Sequence, residues 1–525
     1  MKQADMVKSF TYSDGLERGV SRRPVRMHPF RGFGILRGGM VKSFGALAVL
    51  TMLLVPAGCT LSPEYSRPET PVSGTFAVED AVTGNTDESV SLPVFDDFFV
   101  DPVQKQLVAL ALENNRDLRE ALMQVERTRA MYRITRADRL PSVSVGGASP
   151  RIGIPATELT EHTTVHSYSV GVGFTSFELD LFGRVKELSR EAMEQYLSAE
   201  ESVRAARLSL AAETAGLYLQ LVADREIEDI ARDTVQNRQQ ELDLLRTLAV
   251  RGLVSELEVS QAETLLHEAE GNATAATVDT KQTGNALVRI LGTELPSDLP
   301  EVRKIAEVAS LPDVPAGLPS DLLERRPDIL AAEHSLKAVH ASIGAARANF
   351  FPRISLTGGL GKLSREFDEL WEGSSKTWVF LPQIVLPIFD FGRNKAALEV
   401  AEADRDLAVA RYENAVQTAF REVNDALVQR AHMDEQLTSQ NAMLAASEKS
   451  REHANARFLA GLAPWLNVLE TERTLFAARR AGVDVRLLRE STALKLYKAL
   501  GGGWNEEDDG RSGSGVQDGG AHAGE

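Results

Sequence analysis

The sequence predicts a mainly α-helical protein with a small β part, built from one unit that occurs twice along the chain. Three observations predict this fold class. The 525 residues are rich in Ala, Leu, Glu and Arg, which favour helices, and only 6% are aromatic. Matching motifs recur at a nearly constant offset. Apolar residues follow a helical period over segments of about 65 residues, which is too long for an ordinary globular core.

Composition excludes several classes of protein. The only cysteine, Cys59, rules out an intrachain disulfide, a four-cysteine zinc cluster and an iron–sulfur centre. The formal net charge of −17 makes nucleic acid an unfavourable partner, so we expect none. After Cys59 no apolar run approaches the length of about 18 residues that predicts a transmembrane helix. No catalytic or metal-ligand spacing occurs, and we expect no enzyme activity, catalytic residue, metal or small-molecule cofactor.

Residues 1–58 are predicted to be an upstream extension followed by a lipoprotein signal peptide. Lys42 supplies a basic start, and residues 46–55 form an apolar run of the length that signal peptides use. Two small residues then precede Cys59, as a peptidase that acts before a lipid-modified cysteine requires. The sequence therefore predicts a covalent diacylglycerol and an N-acyl lipid such as palmitate on Cys59.

Two neighbours of the cysteine bear on this prediction. Pro56 stands where lipoprotein signals usually have a bulky aliphatic residue. Thr60 follows the cysteine, and bacterial lipoproteins without Asp at this position are normally sent to the outer membrane. The alternative interpretation is a buried free cysteine after a short core helix.

An internal repeat organises the chain after Cys59. Five pairs of motifs match with an offset of 211 residues early in the chain and 209 later. The pairs are Asp117-Leu118 with Asp328-Ile329, Leu140-Pro141 with Phe351-Pro352, Phe182-Gly183-Arg184 with Phe391-Gly392-Arg393, Gly252-Leu253 with Gly461-Leu462, and Leu291-Gly292 with Leu500-Gly501. This agreement indicates a duplicated unit of about 200 residues rather than a short-period solenoid.

Each unit has the same predicted order: a helix, two strands joined by a polar loop, a very long helix and a return helix. The predicted helices are residues 102–138, 185–250 and 256–291, and then 320–349, 394–460 and 466–500. The strands follow Pro141 and Pro352, and the loops are residues 150–164 and 362–376. The predicted domains are a lipidated extended segment at 59–101, the first repeat at 102–292, an equatorial linker at 293–319, the second repeat at 320–504 and a disordered tail at 505–525.

The long helices set the dimensions of the predicted fold. A helix of about 65 residues is about 100 Å long. The two shorter helices of one unit, laid end to end, match this length. Apolar residues on the long helices recur every three or four positions, and many are Ala, which allows the close approach of a coiled coil. Nearly all the charged residues are therefore interpreted as solvent-facing.

The strand count predicts an oligomer. Residues 167–174 alternate small or polar side chains with apolar or aromatic ones, the pattern of a sheet with one wet and one apolar face. Two units supply four strands, whereas transmembrane barrels need about eight or more. Two chains would supply eight and three would supply twelve. Because an eight-stranded barrel is filled by side chains, a pore favours a trimer with a 12-stranded transmembrane β-barrel and a long α-helical coiled-coil barrel.

A series of motifs, in a specific order, points to one family. They are Cys59-Thr60-Leu61-Ser62-Pro63, Asn114-Asn115-Arg116-Asp117-Leu118, Phe177-Glu178-Leu179-Asp180-Leu181-Phe182-Gly183-Arg184, Glu324-Arg325-Arg326-Pro327-Asp328-Ile329, the block 345–359 and Leu500-Gly501-Gly502-Gly503-Trp504. Each motif is modest alone. Together, from Cys59 to Trp504, the chain resembles the outer-membrane efflux lipoproteins of the TolC/OprM/NodT type.

The resemblance implies a homotrimer in the cell outer membrane, lipid-anchored and membrane-spanning, with a long periplasmic extension. It implies a passive exit duct of a tripartite efflux pump that exports small toxic compounds, as in multidrug resistance. The implied partners are a periplasmic adaptor (membrane fusion protein), an inner-membrane transporter of the resistance–nodulation–division (RND) type and outer-membrane lipid. The alternatives are a lipid-anchored coiled-coil scaffold without a pore, and the exit duct of a type I secretion or oligosaccharide export system.

By the same resemblance, the turns that join the long and return helices contact the adaptor. These tip residues are Gly252, Leu253, Val254, Ser255, Gly461, Leu462, Ala463 and Pro464. Beyond the second turn lies the implied periplasmic gate, with Leu466 forming an apolar ring and Glu470 an acidic ring around the pore axis. Arg457 matches a position that holds the closed state through polar contacts. Phe458 replaces a Tyr of the family, which removes a hydroxyl hydrogen bond.

Overall fold

The computed structural model describes residues 60–72, 76, 95–154, 163–297, 300, 304–308, 311 and 326–502. The predicted signal peptide, Cys59 and the predicted tail at 505–525 lie outside these residues. Within the described ranges, no helix combines the length and the apolar character needed to cross a membrane.

The helices follow the predicted repeat. In the first half they are α1 (Phe95–Phe98), α2 (Pro102–Asn114), α3 (Arg116–Ala137), α4 (Arg184–Val250) and α5 (Glu256–Leu291). In the second half they are α6 (Pro327–Ala348), α7 (Arg393–Ala431), α8 (Met433–Leu459) and α9 (Trp465–Ala499). Helix α4 has 67 residues and is about 100 Å long. Helices α3, α5 and α6 all pack against it.

The strands form one four-stranded sheet and one short ladder. They are β1 (Val143–Ala148), β2 (Arg151–Ile154), β3 (Thr163–His166), β4 (Tyr168–Glu178), β5 (Arg353–Ser364) and β6 (Lys376–Val385). The sheet is antiparallel in the order β1-β4-β5-β6, so the last strand of the first repeat pairs with the first strand of the second. The loop predicted at 150–164 contains β2 and the start of β3, which pair as a short antiparallel ladder.

The first predicted helix is interrupted at Asn115, which was predicted to be helical. The backbone there is extended (φ −61°, ψ 133°), and the side-chain oxygen accepts a hydrogen bond of 2.8 Å from the Leu118 N–H. Asn is a favoured N-cap residue, so α2 ends and α3 begins at this point. The corresponding helix of the second repeat begins at Pro327, after Arg326 with its extended backbone, and proline is favoured at the first helical position. The predicted helical residues 320–325 lie outside the part of the chain that the structure describes.

The second predicted long helix, at 394–460, is also interrupted. Helix α7 ends at Ala431 and α8 begins at Met433, with His432 between them at φ −100° and ψ 1°. Neither glycine nor proline occurs at this break. Helix α4 continues without a break over the equivalent stretch of the first repeat. The helical sequence pattern is similar in both stretches and does not predict the break at His432.

Equivalent hydrogen bonds close the two repeats. The Asn115 Nδ2 donates to the carbonyl of Ile290, near the end of α5, at 2.7 Å. The Arg326 Nη1 donates to the carbonyl of Ala499, at the end of α9, also at 2.7 Å. The donors are 211 residues apart and the acceptors 209 apart, so the two bonds join equivalent positions of the two repeats. Both donor residues are buried.

The main apolar core lies where the shorter helices meet end to end. Fully buried Phe98 stacks on Tyr497 with ring centroids 3.7 Å apart. The predicted equatorial linker contributes Ile305, Val308 and Leu311, all of them buried in this core. The linker is therefore anchored to the core through these three side chains, although other described linker residues are exposed.

Substitution of Asn115 tests the bond that closes the first repeat. In Asn115→Ala both the helix cap and the donor to Ile290 are lost, so the free energy of unfolding should fall by about 2–4 kcal/mol. Asn115→Ser keeps a capping oxygen and loses only the donor, so we expect a fall of about 1–3 kcal/mol. Guanidinium unfolding in detergent, followed by circular dichroism, measures both. Equal stability of N115A and the natural chain would contradict this role.

Candidate functional site at the helix hairpins

The two helix hairpins end in turns of the same type. In the first turn the Gly252 N–H donates to the Ala249 carbonyl (2.8 Å) and the Leu253 N–H to the Leu248 carbonyl (3.0 Å). Gly461 and the residue after it make the same two bonds, at 2.9 and 2.8 Å. Both glycines have positive φ angles, 70° and 72°, which this helix-ending motif requires. The repeat is thus preserved in the backbone of both turns.

Most of the tip residues that the sequence assigned to adaptor contact are exposed. Leu253 is 68% exposed and Leu462 70%. The other exposed tip residues are Gly252, Ser255, Gly461 and Pro464. Val254 and Ala463 are half-buried, and Val254 packs against the apolar core between the hairpins. The two turns therefore present one large apolar side chain each, with Val254 fixing the first turn to the structure behind it.

An apolar core joins the two hairpins behind these turns. Trp465, the first residue of α9, is 2% exposed, and its ring packs on that of Phe458 with centroids 5.0 Å apart. Further residues of this core are Leu242, Leu245, Val259, Leu265, Leu266, Val468 and Leu469. The family resemblance implied that Phe458 lacks a hydroxyl hydrogen bond. Its ring packs on Trp465 and thereby contacts the apolar core that joins the two hairpins.

Two of the predicted gate residues, Leu466 and Glu470, lie on the exposed face of α9. Leu466 is 60% exposed and Glu470, one turn further, is also exposed. Val468, between them in the chain, is buried in the hairpin core. Arg457, at the end of α8, is exposed as well. The structure thus places Leu466 and Glu470 on one face of α9, pointing away from their own hairpin core.

A buried network of four charged residues, which the sequence analysis missed, ties the two hairpins together. Arg238 of α4 binds Glu241 of the same helix (2.9 Å) and Glu472 of α9 (3.3 Å). Arg451 of α8 binds Glu472 at 2.6 Å and approaches Glu241 at 3.9 Å. Arg238 is 4% exposed and Glu472 8%. We call these four residues the hairpin charge network.

The network contains two arginines and two glutamates, so their charges balance, and most of these side chains are shielded from water. Burial raises the pKa of the Glu241 carboxyl, and Glu472 beside it adds to this effect, whereas Arg238 opposes it. The hydrogen bond to Glu472 raises the pKa of Arg451. Charged residues on a helical pattern were interpreted as solvent-facing, and Arg238, Glu241 and Glu472 are exceptions, whereas Arg451 is partly exposed. The residue types Arg and Glu do not by themselves indicate burial, because these side chains are covered only where the two hairpins pack together.

The segment that follows the predicted lipid site is bound to the helices near the sheet. Glu187, in the first turn of α4, accepts hydrogen bonds from the hydroxyls of Thr60 (2.6 Å) and Ser62 (2.8 Å) and is 1% exposed. Glu333 of α6 binds Arg67 at 2.7 Å. The residues beside Cys59 therefore have a fixed place at the sheet end of α4.

Comparisons with known proteins agree with this architecture. The sequence profile of the outer membrane efflux protein family matches residues 107–293 and 318–502. The probable efflux pump outer membrane protein TtgC of Pseudomonas putida is 40% identical over 472 residues, which cover 89% of this chain and 97% of TtgC. The CusC structure is 36% identical with a TM-score of 0.77, covering 85% of this chain and 100% of CusC. The open-state MtrE outer membrane channel of Neisseria gonorrhoeae is 35% identical with a TM-score of 0.76, covering 85% and 98%.

The chain belongs to the outer membrane efflux protein family. The resemblance drawn from the sequence motifs is confirmed, as is the mainly α fold class with a small β part. Neither the predicted tip contacts nor the gate roles are tested by these comparisons, and they remain predictions.

Removal of Arg238 tests the hairpin charge network. Arg238→Met keeps the length of the side chain but leaves Glu241 and Glu472 buried with one cation between them, so stability should fall by about 3–5 kcal/mol. The matched control is Arg246→Met, because Arg246 binds Glu263 across α4 and α5 at 2.7 Å while both side chains are exposed. That change should cost about 0–1 kcal/mol. Hydrogen exchange of α9 and guanidinium unfolding measure the difference, and similar losses in both variants would refute the role.

Proposed function

We propose that the chain is one subunit of a homotrimeric exit duct, which carries small toxic compounds across the outer membrane as part of a tripartite efflux pump. The family assignment and the efflux relatives support this function over secretion or oligosaccharide export. The single structural observation that carries the proposal is the sheet β1-β4-β5-β6, which has a row of large apolar side chains across all four strands on one face and rows of glycine on the other.

One face of the sheet is large, apolar and exposed. A row across all four strands consists of Val145, Val172, Leu360 and Trp378, which pair in that order. Their exposed fractions are 78%, 44%, 68% and 74%. A contiguous exposed apolar surface of this kind is costly in water and is typical of contact with lipid.

The opposite face carries small residues on the inner parts of β1, β4 and β5, whereas β6 places Val379 and Leu381 on it. Gly146, Gly171 and Gly361 form one row across three strands, and Gly173 pairs with Gly359 in the next row. A Cβ atom on Gly173 would lie 2.4 Å from the carbonyl oxygen of Gly358, so a side chain does not fit there. Small residues on this face leave room for a water-filled lumen once the sheet closes with copies of itself.

The sheet also supports an assembly of several copies. Its outer strands, β1 and β6, each pair with one other strand of the four-stranded sheet. Exposed edges are available for pairing with a further strand, and closure of the sheet removes them. Three copies supply twelve strands, which is wide enough for a pore.

The far ends of the hairpins suit protein partners. Leu253 and Leu462 project from the two turns, and a periplasmic adaptor is the partner that we assign to them. An inner-membrane transporter of the RND type would supply the energy, since nothing in a passive duct does. Leu466 and Glu470 would then form the gate on the inner side of the tube.

We further assign a covalent lipid to Cys59. The two hydroxyl contacts of Glu187 fix Thr60 and Ser62 at the sheet end of α4, and Cys59 precedes Thr60 in the sequence. The place of Thr60 beside the sheet suits a lipid anchor on the preceding residue.

Single-channel recording in a planar bilayer tests the duct and its gate together. The double variant Leu466→Ala, Glu470→Ala removes the proposed apolar and acidic rings, so its conductance should exceed that of the natural protein severalfold. The matched control changes the equivalent residues of the first repeat, Leu257→Ala and Gln261→Ala, and should leave conductance unchanged. Equal conductance of the natural protein and both variants would refute the gate. Absence of any conductance in all three would favour the scaffold without a pore.

A further inference from the structure

The first described residues of the chain lie along one face of α6. Residues 60–67, which we call the N-terminal strap, run antiparallel to the helix. Arg67 binds Glu333 near the start of α6 at 2.7 Å, and Arg347 near its end donates from Nη1 to the Leu61 carbonyl at 3.2 Å. The residues of α6 that meet the strap recur every three or four positions and therefore share one face of the helix. They are Glu333, Lys337, His340, Gly344 and Arg347.

This face of α6 is shaped to receive the strap. Gly344 is buried, and a Cβ atom there would lie 2.1 Å from the Ser62 Oγ, so a side chain at this position would push the strap away. The Tyr65 hydroxyl donates to Glu333 at 3.2 Å. Because Ser62 also donates to Glu187 of α4, the strap joins the first repeat to the second. It is a specific contact across the seam between α4 and α6.

His340 lies beneath Tyr65 in this contact. The two rings pack edge to face with centroids 5.3 Å apart. The His340 Nδ1 is shielded from water and has no hydrogen-bond partner among the residues that the structure describes. A neutral imidazole can leave one nitrogen without a hydrogen, whereas a protonated imidazole carries an N–H on both. Protonation beneath the strap would therefore bury an N–H without an acceptor, which is costly.

Neighbouring cations also oppose a charge on His340. Burial lowers the pKa of the imidazole, and Arg405 of α7 and Arg190 of α4 lower it further. Each arginine has a carboxylate of its own helix nearby. Arg405 binds Asp406 at 2.7 Å, and Arg190 approaches Glu187 to 4.0 Å.

The remaining charged groups of this contact lie on α6 and on the strap. Lys337 of α6 binds Glu333 at 2.9 Å, and its ammonium lies 5.4 Å from the centre of the Tyr65 ring. Arg67 of the strap binds the same carboxylate. Lysine and arginine side chains thus approach this contact from α4, α6, α7 and the strap, which makes it unfavourable for a charged imidazole.

The copy of this face on α3 differs at two positions beneath the strap. By the offset of 211 residues, Gly344 corresponds to Arg133 and His340 to Arg129. Arginine is too large for the place of Gly344, and its side chain is always charged. The helix that binds the strap therefore has, at these two positions, a residue without a side chain and a residue whose charge depends on pH.

We propose that the N-terminal strap is a pH-sensitive clip, docked on α6 while His340 is neutral and released when His340 takes up a proton. Release removes the contacts of the strap with α4 and α6, so the clip between the two repeats opens at acid pH. This inference goes beyond the proposed duct and does not depend on it.

The docked state determines the direction of the pH dependence. Docking holds the pKa of His340 below its ordinary value of about 6.5, so the docked strap has its full stability above that pH. The stability is lost as the pH falls from the ordinary pKa through the lowered one. Glu333 keeps its charge in this range. Burial raises the pKa of its carboxyl, but the bonds from Arg67 and Lys337 lower it overall.

A spin label on the strap measures its release in the full chain. Ser66 is exposed, so Ser66→Cys provides a position for the label between the two anchoring side chains of the strap. The natural chain, treated in the same way, gives the background from Cys59. In electron paramagnetic resonance spectra the mobile fraction of the label should rise severalfold between about pH 7.5 and 5.

Variants of His340 in the labelled chain separate its charge from its packing. His340→Asn stays neutral, so the label should remain immobile over the whole pH range. His340→Gln is the second neutral variant and should behave in the same way. His340→Lys carries a positive charge throughout, so the label should be mobile already at the higher pH. Circular dichroism of each variant shows whether the helices are folded.

Two other histidines serve as controls. His267 of α5 is exposed and binds Glu270 at 2.8 Å, so His267→Asn should leave the transition unchanged. His334 of α6 binds Glu194 at 2.7 Å in the same seam, and His334→Asn should leave the transition at the same pH.

Four results would overturn the proposal. The first is a mobile fraction that does not change with pH in the labelled chain. The second is a transition that persists in both neutral variants of His340. The third is a label that stays immobile at both pH values in H340K. The fourth is a transition that disappears in H334N alone, since it would then belong to the pair with Glu194.

Discussion

One buried hydrogen bond in each repeat ties the start of a covering helix to the end of the return helix. A helix of 67 residues cannot be covered by one partner of ordinary length, so α3 and α5 share α4 between them. Where two covering helices meet, their end carbonyls and N–H groups would be buried without partners. Asn115 solves this in the first repeat by capping α3 and binding the Ile290 carbonyl, and Arg326 binds the Ala499 carbonyl in the second. The stacked rings of Phe98 and Tyr497 belong to the apolar core that surrounds these helix ends.

The sequence predicts the order of the elements because the repeat is read from motifs that have local causes. Gly252 and Gly461 mark helix ends through their positive φ angles, and each recurs with its neighbouring leucine. The break at His432 has no such cause and was missed, as was the pairing of β2 with β3 where a loop was predicted at 150–164. Leu466 and Glu470 are exposed on one face of α9, and their gate role stays a prediction. The hairpin charge network could not be predicted from the sequence. Periodicity shows that Arg238 lies on a helix surface; it cannot show that a second hairpin covers that surface.

The proposed gate and the hairpin charge network are coupled through α9. Glu470 is exposed and Glu472 is buried, because side chains two positions apart on a helix point to nearly opposite sides. A rotation of α9 that carries Glu470 away from the axis therefore also moves Glu472 relative to Arg238 and Arg451. Because Arg451 lies on α8 and Arg238 on α4, such a rotation must either break contacts between the hairpins or move both hairpins together. The apolar packing of Trp465 resists the first course, since separation of the hairpins would expose its ring to water. Concerted movement of the hairpins is accordingly the less costly way for the gate to open.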